Sequence, residues 1–342
     1  MNNLNSKQLT MNNKNYLFAV YTSSIGNYFF NEIRDLICAG LNKAGFQTII
    51  ADETTGFLAD VDWHVVIAPH EFFYLGVGES LNEIKWPPNV ILINTEQPST
   101  KWFALAFDLF SKAYKVWDIN HWAAQAINEQ GIPADYLPLG YVEDFPLFQD
   151  VVPLPEHPLT LSLPKTIRQK SYLNGTFAKR PIDLLFIGNL SNRREQFFSS
   201  CGWLLSQYHC YFHFSDSKQP ILAGLNTYMN TPTVIGLCQR SKILLNIHRG
   251  DDLYFEWQRI VMQGIWQKVL VISEPCEPAP PFTANKDYVE AAQDEIAEKI
   301  YYYLSTPEGI VEAAKIIEHG HRTLTETCQI DHMLKELVEK LN

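Results

Sequence analysis

The chain has 342 residues, 46% of them hydrophobic and 19% charged, and a formal net charge of −11. That is enough apolar material for two cores, and too acidic a balance for broad attraction to nucleic acid or anionic lipid. Any phosphate held here needs a local cluster of donors set against the overall field. No run is long and apolar enough to cross a bilayer, and the polar, Asn-rich start MNNLNSKQLTMNNKN is unlike a signal peptide. The six cysteines (Cys38, Cys201, Cys210, Cys238, Cys276, Cys328) follow no disulfide or zinc spacing. A cytoplasmic protein with reduced thiols and no transmembrane segment is expected, with a disordered tail over residues 1–14.

From residue 15 to 140, short apolar runs alternate with amphipathic ones. Tyr16 to Tyr21 reads as a buried strand, Ser23 to Asn27 as a tight turn, and Tyr28 to Ala44 as a helix with Gly45 behind it. QTIIAD, WHVVIAP and NVILINT are further strands. A helix from Lys101 to Lys112, the strand YKVWDI and a helix from Trp122 to Gln130 follow. Strands that are apolar throughout and alternate with helices predict a parallel sheet covered on both faces. Over residues 141–181 the density of proline, which serves neither central strands nor helix interiors, predicts a linker with an irregular insertion. Alternation resumes at IDLLFIGN. A helix over Arg193 to Ser206, the strand HCYFHFS, a helix near Thr233 to Arg240, the strand KILLNI, the helix FEWQRIVMQGIW and the strand KVLVIS come next, and the chain is helical from Ala291 onward. The predicted fold is α/β, with two Rossmann-like domains (15–140 and 182–342) facing across a cleft.

Ligands of open α/β sheets bind beyond the carboxyl ends of the strands, where loops and helix N-termini converge. IDLLFIG runs into Gly188, Asn189, Ser191, Arg193 and Arg194, and KILLNI into His248, Arg249, Gly250 and Asp251. The following helix carries Glu256 and Arg259, and KVLVIS ends at Ser273-Glu274. Guanidinium forks, helix-terminal N–H groups and an imidazole suit a diphosphate. In the first half, WHVVIAP ends at His70-Glu71 and NVILINT at Glu96-Gln97. Each of His70, Glu71 and Glu96 could serve as general base on an acceptor hydroxyl, or else cap a helix or face solvent. Asp60-Val61-Asp62 precedes its strand, at the wrong end of the sheet for a metal in the cleft, so no metal site is expected.

The stretch SKILLNIHRGDDLYFEWQRIVMQGIWQKVLVISEP resembles the donor-binding region of GT-B-fold glycosyltransferases, especially the spore-maturation-type branch. IDLLFIGNLSNRREQFF is similar to the strand and phosphate-side loop that open the donor domain, and Tyr136 to Tyr141 to the end of the acceptor domain. Residues 287–328 are similar to the closing helices, which cross back between the domains. The resemblance implies metal-independent transfer of a sugar from a nucleotide-sugar donor to an acceptor of unknown kind, with no resident cofactor. It puts Arg193 and Arg194 near the diphosphate and His248, Arg249 and Arg259 along the donor site. Retaining relatives carry two glutamates spaced E-x7-E; counted back from KVLVIS, these positions are Tyr254 and Met262, with Glu256 out of register and Gln267 where a glycine is usual. A methionine does not accept a ribose hydroxyl's hydrogen bond as a carboxylate does. The rival expectation is therefore a GT-B protein that binds a nucleotide, glycan or partner without turnover. A third is an enzyme of other chemistry, such as a sugar-nucleotide epimerase.

Overall fold

The structure, a computed structural model, describes residues 15–215 and 229–341; the tail expected over residues 1–14 lies outside them. Strands β1 (Leu17–Tyr21), β2 (Gln47–Ala51), β3 (Trp63–Ile67), β4 (Val90–Asn94), β5 (Lys115–Asp118) and β6 (Ala134–Tyr136) form one parallel sheet in the order β2-β1-β3-β4-β5-β6. Strands β7 (Ile182–Asn189), β8 (Cys210–Ser215), β9 (Ser241–Asn246), β10 (Leu270–Ser273) and β11 (Val289–Glu290) form a second, also parallel, in the order β8-β7-β9-β10-β11. The edge strands β6 and β11 are too short to register as apolar runs, and the sequence did not announce them.

Alternate residues of each strand feed different cores, because side chains point to opposite faces with period two. Phe18 and Val20 enter one cluster, Ala19 and Tyr21 another; Leu184 and Phe186 likewise part company with Leu185. Helices supply the other half of each core: α1 (Tyr28–Lys43), α2 (Lys101–Phe110) and α3 (His121–Glu129) on the first sheet, and α4 (Asn192–Ser200), α5 (Thr231–Gln239), α6 (Ile296–Ser305) and α7 (Pro307–Arg322) on the second. Both sheets thus have covered faces. In each, the second strand in chain order lies on one side of the first and the third on the other. This reversal leaves a crevice at the carboxyl ends of β1 and β3, and of β7 and β9.

Two predicted helices depart from regularity. FEWQRIVMQGIW forms a π-helix over Gln258–Gly264 and then a 3-10 turn over Ile265–Gln267. Gly264 sits so close to β10 that a Cβ there would come within 2.2 Å of Val271 Cγ2, and the widened turn fits only around that missing side chain. The helix expected over Arg193 to Ser206 is broken at Cys201, between α4 and a short turn over Gly202–Leu205.

The halves are joined by more than the proline-rich segment. Helix α8 (Ile330–Glu339) returns to the first half and packs on α1, where a Cβ on Gly40 would lie 2.8 Å from both Ile330 Cγ2 and Leu334 Cδ1. At the crossing, the Tyr141 N–H donates to Cys328 O at 2.7 Å and the Ile330 N–H to Tyr141 O at 2.9 Å. Trp257 Nε1 donates to Ile119 O at 2.7 Å, and Tyr136 Oη to Pro280 O at 2.7 Å. One apolar cluster accordingly runs from Trp117 through Phe148 to Trp257, Met262 and Trp266. Among the described residues no helix is long and apolar enough to cross a membrane.

Gly140 sits in this crossing, and a Cβ there would meet Cys328 O at 2.2 Å. Backbone cannot yield as a side chain does, so Gly140→Ala should cost about 1–3 kcal/mol in urea unfolding. A variant as stable as the parent would mean that the crossing adapts freely.

Candidate active site

A pocket of about 330 Å³ opens between the sheets, lined from the first half by Asn27, Phe29 and Glu32 and from the second by the ends of β7 and β8, the start of α5, Arg249 and the π-helix. At residue 188 a Cβ would lie 3.1 Å from Arg194 Nη1 and 3.2 Å from Arg259 Nη2, so glycine lets both guanidiniums close on the strand end. Arg194 donates Nε to Ile247 O (2.9 Å) and Nη1 to Asn189 O (2.7 Å). Arg259 donates Nη1 to Asn246 Oδ1 (2.7 Å) and Glu256 Oε2 (2.8 Å), and Nη2 to Ile187 O (3.2 Å). The two cations lie 5.3 and 5.5 Å from the Phe186 ring. Burial, and then the charge of Arg259, lower the Arg194 pKa to about 10, which still leaves it cationic at neutral pH. Arg249 also lines the pocket; it is exposed and, among the described residues, has no hydrogen-bond or ion-pair partner.

Of the second-half candidates, Gly188, Asn189, Arg194, Arg249, Glu256 and Arg259 line this pocket. Arg193, His248, Ser273 and Glu274 do not; they bond to one another beside it. Arg193 Nη2 pairs with Glu274, and its Nη1 lies 3.6 Å from Asp251. Glu274 Oε2 accepts the His248 N–H at 2.6 Å, His248 Nε2 lies 2.9 Å from Pro275 O, and Ser273 Oγ donates to Glu274 O at 2.7 Å. This group braces the loops after β9 and β10.

In the first half the structure brings His70, Glu71 and Glu96 together. Ala68, left-handed at φ 52°, turns the chain into a short helix over Pro69–Phe72, and His70 Nε2 then lies 3.4 Å from Glu96 Oε1. Glu71 Oε2 accepts the Asn27 N–H at 2.7 Å and so holds the turn into α1. Burial lowers the His70 pKa to about 4; burial, and then Glu71, raise that of Glu96 to about 7. A neutral imidazole thus sits beside a carboxyl that titrates near neutrality. None of the three lines the 330 Å³ pocket. A smaller pocket of about 200 Å³ adjoins it, with Gln97 in its wall and Tyr254 common to both. The Tyr254 hydroxyl is pushed up by Glu256 first and, more weakly, by Glu96, which sets Glu96 near the junction.

The sequence reading missed Glu32. It is buried on α1, accepts a hydrogen bond from Thr231 Oγ1 at the start of α5, and lines the larger pocket. Burial, and then Asp35, raise its pKa to about 8. The available signal was its place four residues before Leu36 on the apolar stripe of α1. Asn246 and Thr231, which orient Arg259 and Glu32, were also passed over. Among the described residues, no group of three or more His, Cys, Asp or Glu is placed to hold a metal ion. All six cysteines are free.

No protein-family model matches this sequence, and no curated protein matches it. Solved structures do resemble it. The Anabaena protein HepE, in complex with UDP-glucose, superposes with a TM-score of 0.59 at 10% identity over 95% of this chain and 99% of its own. An α1,3-fucosyltransferase superposes with a TM-score of 0.52 at 11% identity, over 96% and 90% of the two chains. The chain has the GT-B fold. The likeness reaches that far and singles out no spore-maturation-type branch. In this GT-B chain the second of the two expected glutamate positions, Met262, is 1% exposed and lies on the pocket wall, and the first, Tyr254, separates the pockets. The carboxylate that is present, Glu256, pairs with Arg259.

Glu32, Glu96 and Asp118 have pKa values raised by burial to about 8, about 7 and about 7 from ordinary values of 4.5, 4.5 and 3.8. The folded state therefore holds more protons than the unfolded one between those limits. Stability from these groups is complete below the ordinary values and is lost as pH rises through the folded ones. Below about pH 6.5 the buried His64 and His70, lowered to about 4, act in the opposite sense, so melting temperature should fall from about pH 7 to about pH 9, and Glu32→Gln should remove part of that fall. A wild-type melting temperature that rises across this range would contradict the burial of these acids.

Proposed function

We propose that this protein is a glycosyltransferase that moves a sugar from a nucleoside-diphosphate sugar to an acceptor hydroxyl. The observation that carries the reading is the convergence of Arg194, Arg249 and Arg259 on one pocket of an acidic chain. Two of these cations are pinned by carbonyl oxygens, while Arg249 has no hydrogen-bond or ion-pair partner among the described residues. HepE holds UDP-glucose, and the same class of donor suits this arrangement.

In the proposed step the acceptor oxygen bonds to the anomeric carbon and its proton passes to Glu96. The bond from that carbon to the diphosphate oxygen breaks, and the electron pair leaves with the diphosphate. The guanidiniums meet that charge as it develops, so no metal or resident cofactor is invoked. Glu96 suits the base because its pKa of about 7 matches a neutral working pH, and the neutral His70 ring lies 3.4 Å from its carboxyl. Glu71 and Glu256 are spent on Asn27 and Arg259. Six free cysteines fit action in the cytoplasm. Met262 favours one other reading, a protein that binds the nucleotide without turnover; stabilisation by UDP-glucose with neither hydrolysis nor transfer would select it.

UDP-glucose should raise the melting temperature in EDTA. Arg249→Ala or Arg259→Ala should reduce that shift and slow turnover by roughly 10²–10³; unchanged values would remove the arginines from the site. Glu96→Gln should keep the donor-induced shift, lower kcat by about 10²–10⁴, and abolish the loss of activity seen as pH drops through about 7. A variant that keeps the wild-type pH profile would leave the base unassigned to Glu96.

A further inference from the structure

The smaller pocket differs in chemistry from the larger one. The larger is walled by guanidiniums; none of the residues lining the smaller is lysine or arginine. Its apolar wall includes Trp122, 49% exposed, and Leu253, 50% exposed. Apolar side chains gathered at the mouth of a cleft and rimmed by polar groups mark a ligand-binding groove. Asp252 and Glu277 add carboxylates, and Ser99, Gln97 and Asn120 add neutral hydrogen-bonding groups.

The wall is built rather than accidental. Asp118 Oδ1 accepts the Asn120 N–H at 2.7 Å and sets the start of α3, which delivers Trp122. The Glu277 N–H donates to Leu253 O, tying the two second-half segments together. Trp257 Nε1, bonded to Ile119 O, clamps that side of the pocket to the first half.

We propose that this pocket is the acceptor site and that it takes an uncharged or cationic carbohydrate; the assignment rests on the transferase reading above. A sugar ring has a C–H face that lies on an indole, and hydroxyls that donate to carboxylates. An anionic acceptor, such as a phosphate or a uronate, would meet Asp252 and Glu277 with no lysine or arginine in the wall and only the His121 imidazole among the lining residues to offset them. Position agrees with chemistry. Tyr254 divides this pocket from the proposed donor site, and Glu96 immediately precedes the lining residue Gln97. The Glu96 side chain lines neither pocket, but its charge acts on Tyr254, so an acceptor hydroxyl at the Tyr254 side lies toward the proposed base.

The test reads binding without needing turnover. Protein labelled with 5-fluorotryptophan, with the Trp122 resonance assigned through Trp122→Phe, is titrated with cellobiose, maltose, chitobiose, chitosan dimer and digalacturonate. The Trp122 resonance should move with at least one neutral or cationic sugar and stay fixed with digalacturonate. In transfer assays with UDP-glucose, Trp122→Ala should raise the acceptor KM about tenfold while the UDP-glucose thermal shift stays as in the parent. A resonance that no sugar moves, or that digalacturonate moves equally, overturns the proposal. Sugar binding at Trp122 without any UDP-glucose binding would keep the carbohydrate pocket and sink the transferase reading; the reverse result would sink the pocket alone.

Discussion

Arg194 and Arg259 lie against one phenyl ring, Phe186, and against the carbonyl oxygens that end β7 and follow β9. Two like charges side by side and buried repel one another, and each loses hydration. The arrangement survives because the backbone supplies acceptors where strands stop, Glu256 offsets one charge, and residue 188 has no side chain in the way. With their donors partly committed, these cations cannot collapse onto the acidic surface. They hold a positive field at a fixed place in a chain of net charge −11. The layout of the pocket follows from that constraint.

The first half meets burial with a different set of partners. First-half carboxyls stand near the ends of buried strands or, for Glu32, on α1, where burial favours the protonated form. Glu71 offsets this with a backbone N–H, Glu32 with the Thr231 hydroxyl, and Asp118 with Asn94 and the Asn120 N–H. Glu96 has only the His70 ring at 3.4 Å and Thr100 nearby, and is the least committed of the group. Of these carboxyls only Glu32 lines the pocket, so the fixed cations share it with one first-half acid whose charge changes near neutrality.

Much of the fold was legible because a strand buried on both faces is apolar throughout, as in the all-buried VILIN of β4. The two edge strands were not, since two or three residues carry no pattern. The π-helix was hidden for another reason: Gly264 answers to the side chain of Val271 on β10, a contact between elements. At the site, the ends of β7 and β9 could be read residue by residue because parallel topology fixes which end is open. What could not be read was which arginine faces the pocket. Arg193 and Arg194 are adjacent on α4, yet one turns to Glu274 and the other to strand carbonyls, and only partners distant in sequence decide this. Glu32 was missed because a lone acid on an apolar stripe has meaning only once Thr231, from the other half, is set against it.

The bridge between Tyr141 and the segment from Cys328 to Ile330 bears on how the chain is made. Synthesis runs from the N-terminus, and domains commonly fold as they emerge. Here the first sheet and α1 emerge early, but the apolar face of α1 around Gly40 is covered by Ile330 and Leu334, which are made only after the whole second half. The first half must wait with that face uncovered, so on the ribosome the two halves cannot mature as independent units. Its full stability waits on α8, which is made after the second half and returns to cover it.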